Sequence, residues 1–426
     1  MIRSPKIQNL CLVILLLIVL NYNHMAMAAN IYSNSAHGNG TYGVDRGSIP
    51  SAYCTGNCVH CHEQHACIDG SEPAPASGLA SIFALFFTSH TSQTNNFCFK
   101  CHDNTATVAA NAITNRSYSY RAGGWTADTL DDILEAFDTD GPVTESAHGL
   151  DDIRTFIAGE SWGYSTDSNP CAACHNPHGV QGDPTNSTTG TKSPATRGYP
   201  VSRPSQHATP TTWGLWGDEA GEKMSDYSAN YQAPYRYNST TSYEPDGSAT
   251  QDGSNLTDFN TFCTDCHNNS NTIYSAALGR NLRTIDWNSE KHGKGAASDD
   301  AIVPDVFSPY EDAKLGNYVL ACTDCHEPHG SPNVLLIRGE VNSGGDVSVH
   351  TELGTGDGPE EKCNQEWKYL CGKCHNFDGH PHNSAPLNCE VCHDMQPWEC
   401  DYRPCGNCHF HGNSTIDGLP YGELLF

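Results

Sequence analysis

The chain has 426 residues, with 49 Asp and Glu against 22 Lys and Arg, and a formal net charge of −27. Such a surface repels phosphate backbones, which excludes nucleic acid as a partner, and it attracts cationic or metallic ones. Only 37% of the residues are hydrophobic, so side chains alone cannot supply a core to a chain of this length.

Residues 1–28 read as a secretory signal peptide. Arg3 and Lys6 precede an apolar run from Leu10 to Leu20, and Ala26-Met27-Ala28 forms a small-x-small cleavage site. The run is too short to span a bilayer. The mature chain is expected to begin near Ala29 and to be secreted, either extracellular or at the outer cell surface. Without Arg3 and Lys6 it holds 20 basic residues against 49 acidic ones, a net −29.

Residues 29–200 form an N-terminal region. It opens with Ser35-Ala36-His37-Gly38, and the first Cys-x-x-Cys-His motif follows at Cys58–His62. Leu79–Phe87 is apolar, far too short for a membrane, and expected to pack inside. The second motif is Cys98–His102. A helix is predicted over Asp128–Phe137, where Leu130, Ile133, Leu134 and Phe137 recur at i, i+3, i+4 and i+7 and Gly141-Pro142 ends the run. Ser146-Ala147-His148-Gly149 repeats the opening tetrapeptide, and the third motif, Cys171–His175, continues as Asn176-Pro177-His178-Gly179.

Residues 201–255 carry no motif and read as a loop or a joint. The C-terminal region, 256–426, holds five motifs: Cys263–His267, Cys322–His326, Cys371–His375, Cys389–His393 and Cys405–His409. The fifth is followed by Glu327-Pro328-His329-Gly330, close to the ending of the third. Val334–Ile337 reads as a short strand.

Eight copies of Cys-x-x-Cys-His define the chemistry. The motif is the attachment signature of c-type haem: two thiols three residues apart form thioethers to one porphyrin, and the adjacent histidine becomes the proximal iron ligand. The attachment residues are Cys58, Cys61, Cys98, Cys101, Cys171, Cys174, Cys263, Cys266, Cys322, Cys325, Cys371, Cys374, Cys389, Cys392, Cys405 and Cys408. The proximal ligands are His62, His102, His175, His267, His326, His375, His393 and His409. Zinc tetrathiolate sites are the competing reading, but they leave eight flanking histidines without a role.

Eight haem c groups would supply the core that the side chains lack. The expected fold is therefore mostly coil, with few short helices and minimal strand, laid around haems stacked in a continuous chain.

Second axial ligands must come from histidine, because only Met224 and Met395 survive removal of the signal. Thirteen histidines remain in the mature chain beyond the proximal eight. His65, His178 and His329 each lie three residues after a proximal histidine, an offset suited to the iron of a neighbouring haem. His37, His148 and His292 precede glycine, which lets backbone pass close to a porphyrin face. Of His380, His382 and His411 in the crowded C-terminal part, His382 and His411 are taken as ligands. His60, His90, His207 and His350 are expected to be surface or hydrogen-bonding residues. Four cysteines stand outside the motifs and the signal, and disulfides are expected for Cys54–Cys67 and Cys363–Cys400.

The signal peptide, the eight motifs, the two Ser-Ala-His-Gly segments and the His-x-Pro-His-Gly endings resemble the extracellular multihaem c-type cytochromes of metal-reducing bacteria, of the OmcS/OmcE-like filament type. The resemblance implies haems stacked alternately parallel and T-shaped in a homopolymer, a nanowire filament in which His37 ligates a haem of the next copy. It implies outer-membrane or periplasmic cytochromes as donors, and extracellular metal oxides or other cells as acceptors. The expected function is electron transport through bis-His haems, with no bond chemistry and no catalytic residue. The alternatives are an octahaem reductase of nitrogen or sulfur oxyanions and a soluble periplasmic carrier. An open iron often marked by lysine in place of the motif histidine would favour the reductase, and all eight motifs here end in histidine.

Overall fold

The computed structural model describes residues 32–33, 35–47, 53–62, 82–87, 91–106, 108–110, 132–141, 144–179, 237–238, 242–243, 262–288, 290, 292, 322–339, 341, 347–350, 370–374 and 411. The signal segment and nearly all of 201–255 lie outside the described residues. Among those described, no helix is long and apolar enough to cross a membrane. The chain divides into two compact units, one drawn from Met1–Thr88, Val108–Ala110 and Ile157–Asp226, the other from Ser89–Thr107, Asn111–Phe156 and Tyr227–Phe426.

The first unit contains the first and third motifs. Its regular structure is a set of single turns at Cys58–His60, Ile82–Ala84 and Pro170–Ala173. Two isolated antiparallel bridges, Arg46 with Ala109 and His62 with Leu85, tie the segments together. Phe86 is buried beneath the Arg46 guanidinium, which sits 4.0 Å from the ring centre. That contact lets a buried long cation lie against an apolar face. Phe86 is thus packed inside as the apolar segment 79–87 implied, whereas Phe83 in the same segment is 57% exposed.

The second unit holds short elements around a small apolar core. Helix α1, Ile133–Phe137, starts after Asp132, whose backbone is extended and whose side chain accepts the Glu135 amide at 2.6 Å. The predicted helix began at Asp128. The Asp132–Glu135 pair, spaced as a capping box, places the start at Ile133 instead. Strand β1, Ser146–Ala147, leads into helix α2, Leu150–Gly159, which the sequence reading did not anticipate and whose last residues, from Ile157, belong to the first unit. Leu150 and Ile157 are its buried residues, and Asp151 and Asp152 occupy the first turn, where the helix dipole favours negative charge. Gln93 joins the two helices, donating to the Phe137 carbonyl and accepting the Leu150 amide.

Two small hairpins follow, β2 with β3 (Tyr237–Asn238 and Ser242–Tyr243) and β4 with β5 (Tyr274–Ser275 and Arg280–Asn281). Helix α3 is the four-residue turn Cys322–Cys325, and β6, Gly330–Ser331, pairs antiparallel with β1 in the register Ser146 to Ser331 and Ala147 to Gly330. A Cβ at Gly330 would collide with the Ala136 carbonyl oxygen, so only glycine permits this approach.

Val334–Leu336 is a helical turn and not the strand expected from its composition. Leu335 and Leu336 both have positive φ, 55° and 59°. Asn333 enforces this shape: its buried amide donates to the carbonyls of Ile337, Arg338 and Val347 and accepts the Val349 amide. Those bonds collect Ile337, Val341, Val347, Val349 and Leu370 into one apolar cluster, against which Cys374 also packs.

Candidate metal centres

Five motifs adopt one local geometry. In each, the histidine amide donates to the carbonyl of the first cysteine at 2.9–3.0 Å, for His62, His102, His175, His267 and His326. Residues i, i+3 and i+4 of a helical turn share a face, so both sulfurs and the imidazole face one side. The sixth motif shows the same tight turn, with the Cys374 amide on the Cys371 carbonyl at 3.0 Å. Asparagines cap three of these turns: Asn57 accepts the Val59 amide, Asn96 the Cys98 amide and Asn169 the Cys171 amide. Asparagine one or two places before the first cysteine was a visible signal that sequence reading did not use.

Among the described residues, three motif histidines each have a histidine from outside the motifs as a ring neighbour. His62 and His178 have ring centres 6.2 Å apart and planes 21° apart. His267 and His148 stand at 6.0 Å and 26°, and His326 and His411 at 6.2 Å and 37°. Two imidazoles bound through Nε2 to one ion at about 2.0–2.1 Å on each side have ring centres about 6 Å apart. The spacing is that of an axial pair.

Hydrogen bonds fix which nitrogen is available. His62 Nδ1 lies 2.8 Å from the Phe83 carbonyl, His326 Nδ1 2.9 Å from that of Leu335, and His148 Nδ1 2.8 Å from that of Pro328. A carbonyl only accepts, so Nδ1 carries the proton in each, and the Nε2 lone pair is left for a metal. His37 is held the same way, its Nδ1 2.7 Å from the Pro177 carbonyl. His411 Nδ1 instead meets a carboxylate, Glu290 Oε2, at 2.7 Å.

His60 has the opposite tautomer. Its Nδ1 accepts the Arg46 amide, and its Nε2 donates to the Cys54 carbonyl, which leaves no lone pair. His350 is engaged on both nitrogens, by Glu145 and Ser348.

Electrostatics suit neutral ligands. Burial, and then the neighbouring imidazoles of His62 and His37, pull His178 down to about 4. Burial pulls His267 to about 3, with His148, His326 and His411 adding to it, and pulls His326 to about 4 with His411 next. The two pairs in the second unit are therefore close enough to depress one another. Burial also pushes the Cys174 thiol up to about 12 and that of Cys325 well above its ordinary value.

The residues present fit a bis-imidazole haem on three counts: the motif face, the paired rings and an orphan donor. Trp287 is buried beside His411, ring centres 6.4 Å apart, and its Nε1–H has no acceptor among the described residues. A cofactor carboxylate would satisfy it. Among the described residues, no three His, Cys, Asp or Glu side chains converge as a metal site made of protein alone. Porphyrin supplies four of an iron's six ligands, so pairs are sufficient.

Other expected ligands are placed less fully. His329 packs on Phe137, and Phe137 on Phe99 of the second motif, each with ring centres 5.6 Å apart. His292 is half-buried. His65, His375, His382, Cys389, Cys392, His393, Cys405, Cys408 and His409 lie outside the described residues, as do His90, His207 and His380. Cys54 is exposed with a free thiol, and its expected partner Cys67 lies outside the described residues with Cys363 and Cys400. Comparison with protein-family models, with curated proteins and with solved structures returned no match.

Proposed function

We propose that this protein is a secreted octahaem c-type cytochrome that conducts single electrons along stacked bis-His haems to extracellular acceptors, as a polymer of its own copies. The observation that carries the proposal is the set of three histidine pairs with ring centres 6.0–6.2 Å apart, His62–His178, His267–His148 and His326–His411, each joining a motif histidine to one outside it. Bound haem supplies one-electron iron chemistry at each pair. The chain's own part is to attach, space and orient. The motif turns aim sulfur and imidazole to one side, and the carbonyls of Phe83, Leu335 and Pro328 set the tautomers.

A closed iron with two protein ligands exchanges electrons and binds no substrate, which supports a conduit over a reductase. The strongly acidic surface also repels oxyanions and suits cationic or mineral acceptors. His37, oriented by Pro177 as His148 is by Pro328, is the residue proposed to ligate a haem of the next copy. The alanine variant of His37 is then expected to keep all eight haems and lose assembly.

Electron microscopy of the haem-staining protein sheared from cells tests the reading. Long filaments of regular repeat are the expected result. Discrete particles with a complete set of low-spin haems would remove the filament and leave a carrier, and an unligated iron would reopen the reductase.

A further inference from the structure

Among the described candidate ligands, His37, His62, His148 and His326 each have Nδ1 against a backbone carbonyl. His411 instead has Nδ1 against Glu290. That carboxylate is completely buried. Its Oε2 lies 2.7 Å from His411 Nδ1, and its Oε1 accepts the Asp286 amide at 3.0 Å. The Glu290 amide in turn donates to the Asp286 carbonyl at 3.0 Å, so backbone and side chain close the same turn and lock the rotamer. Trp287 sits within this turn, against His411. The arrangement is built around one imidazole edge.

We propose that Glu290 is a positioning and tuning residue that lowers the reduction potential of the centre at His326 and His411 relative to its neighbour at His267 and His148. This rests on the reading of the pairs as haem ligands. The physical reason is charge. Oxidised iron between two neutral imidazoles carries one more positive charge than reduced iron. A full negative charge held on the imidazole edge, out of water, favours the oxidised form far more than a carbonyl dipole does. It also draws the Nδ1 proton toward oxygen and makes Nε2 the better donor. His148, with only the Pro328 carbonyl at the same position, lacks this effect. Two adjacent centres thereby differ in potential although their metal-facing ligands are the same.

The test is spectroelectrochemical titration of the full haem-loaded protein, with Glu290→Gln and Glu290→Asp beside it. Glu290→Gln keeps the hydrogen-bonding length and removes the charge. It is expected to retain eight haems, all low-spin, and to make one haem at least tenfold easier to reduce, a rise of about 59 mV for a one-electron couple. Glu290→Asp is expected to restore most of the wild-type curve. His411→Ala identifies the haem, because the component that shifts in Glu290→Gln must be the one that turns high-spin there. Superimposable titrations of wild type and Glu290→Gln would overturn the proposal, as would a shift accompanied by a high-spin signal, since Glu290 would then only hold His411 in place. A wild-type chain without covalently attached haem would instead overturn the functional reading, and this assignment with it.

Discussion

His62 in one unit and His326 in the other are held by the same device, although their supporting segments share little sequence. In each case the Nδ1 proton goes to the carbonyl of a residue with positive φ, Phe83 at 67° and Leu335 at 55°. In each the histidine forms an isolated bridge two residues further on, to Leu85 and Ile337. In each the following amide, Phe86 or Arg338, returns to the carbonyl of the motif's second cysteine. The opposite histidines differ. His178 packs edge-on to Tyr32 with its Nδ1 buried and without a hydrogen-bond partner among the described residues, whereas His411 is bound to Glu290. The support of the motif histidine is the same in these two places, and that of its neighbouring histidine differs.

The largest effect should come from the attachment cysteines. Replacing Cys58 and Cys61 together, or Cys322 and Cys325 together, by serine should each remove one haem by intact mass and leave seven. Loss of a haem that serves as core should also lower the melting temperature in both. Next come the distal ligands. His178→Ala and His411→Ala should each keep eight haems and convert one from low-spin to high-spin in the electron paramagnetic resonance spectrum. Unchanged spectra from either would break the assignment of that pair. Their potentials then sharpen the comparison, because the haem lost from the low-spin set in His411→Ala should be the more negative of the two.

The motif turns were legible in the sequence because spacing alone puts i, i+3 and i+4 on one face. The pairing of distal to proximal histidines was not. His178 was expected to reach a neighbouring haem, and the offset of three residues says nothing about which one; that is decided by contacts between distant segments. The two Ser-Ala-His-Gly copies were visible as a repeat, as were the two His-x-Pro-His-Gly endings. That the first seeks the second, His37 to Pro177 and His148 to Pro328, spans 140 and 180 residues and leaves no local trace. Val334–Ile337 looked like a strand because apolar and β-branched residues favour one. A buried asparagine and a histidine that needs an acceptor overrode that propensity. Glu290 escaped notice for a related reason: one acid among 49 is marked only by its burial.

Asn333 separates the two devices. Its side chain makes four hydrogen bonds around the turn that carries the Leu335 carbonyl, and the Ile82–Ala84 turn has no described equivalent. At about 0.5–1.5 kcal/mol for each buried bond, Asn333→Ala should cost about 2–6 kcal/mol. The loss should fall on the centre at His326, read as a broadened or high-spin signal from that haem, with the haem at His62 unaffected. Equal disturbance of both would show that the two supports are not independent.

The smallest effect concerns the positive-φ residues themselves, and its sign should differ between the two copies. A non-glycine residue in the left-handed region costs about 1–2 kcal/mol, which glycine relieves, while glycine's looser unfolded chain returns about 0.5–1 kcal/mol of cost. Phe83 is 57% exposed, so its ring contributes little packing, and Phe83→Gly should leave stability unchanged or raise it by up to about 1 kcal/mol. Leu335 packs against the cluster of Ile337, Val341, Val347, Val349 and Leu370, so Leu335→Gly loses apolar contact as well. Removing a fully buried leucine side chain costs about 2–5 kcal/mol, and for the partly buried Leu335 even half of that exceeds the net backbone relief. Leu335→Gly should therefore destabilise while Phe83→Gly does not, as measured by thermal unfolding of the haem-loaded chain. Destabilisation by both would mean that the Phe83 ring is covered in the working protein, as it would be if it lay against a haem edge or another copy of the chain.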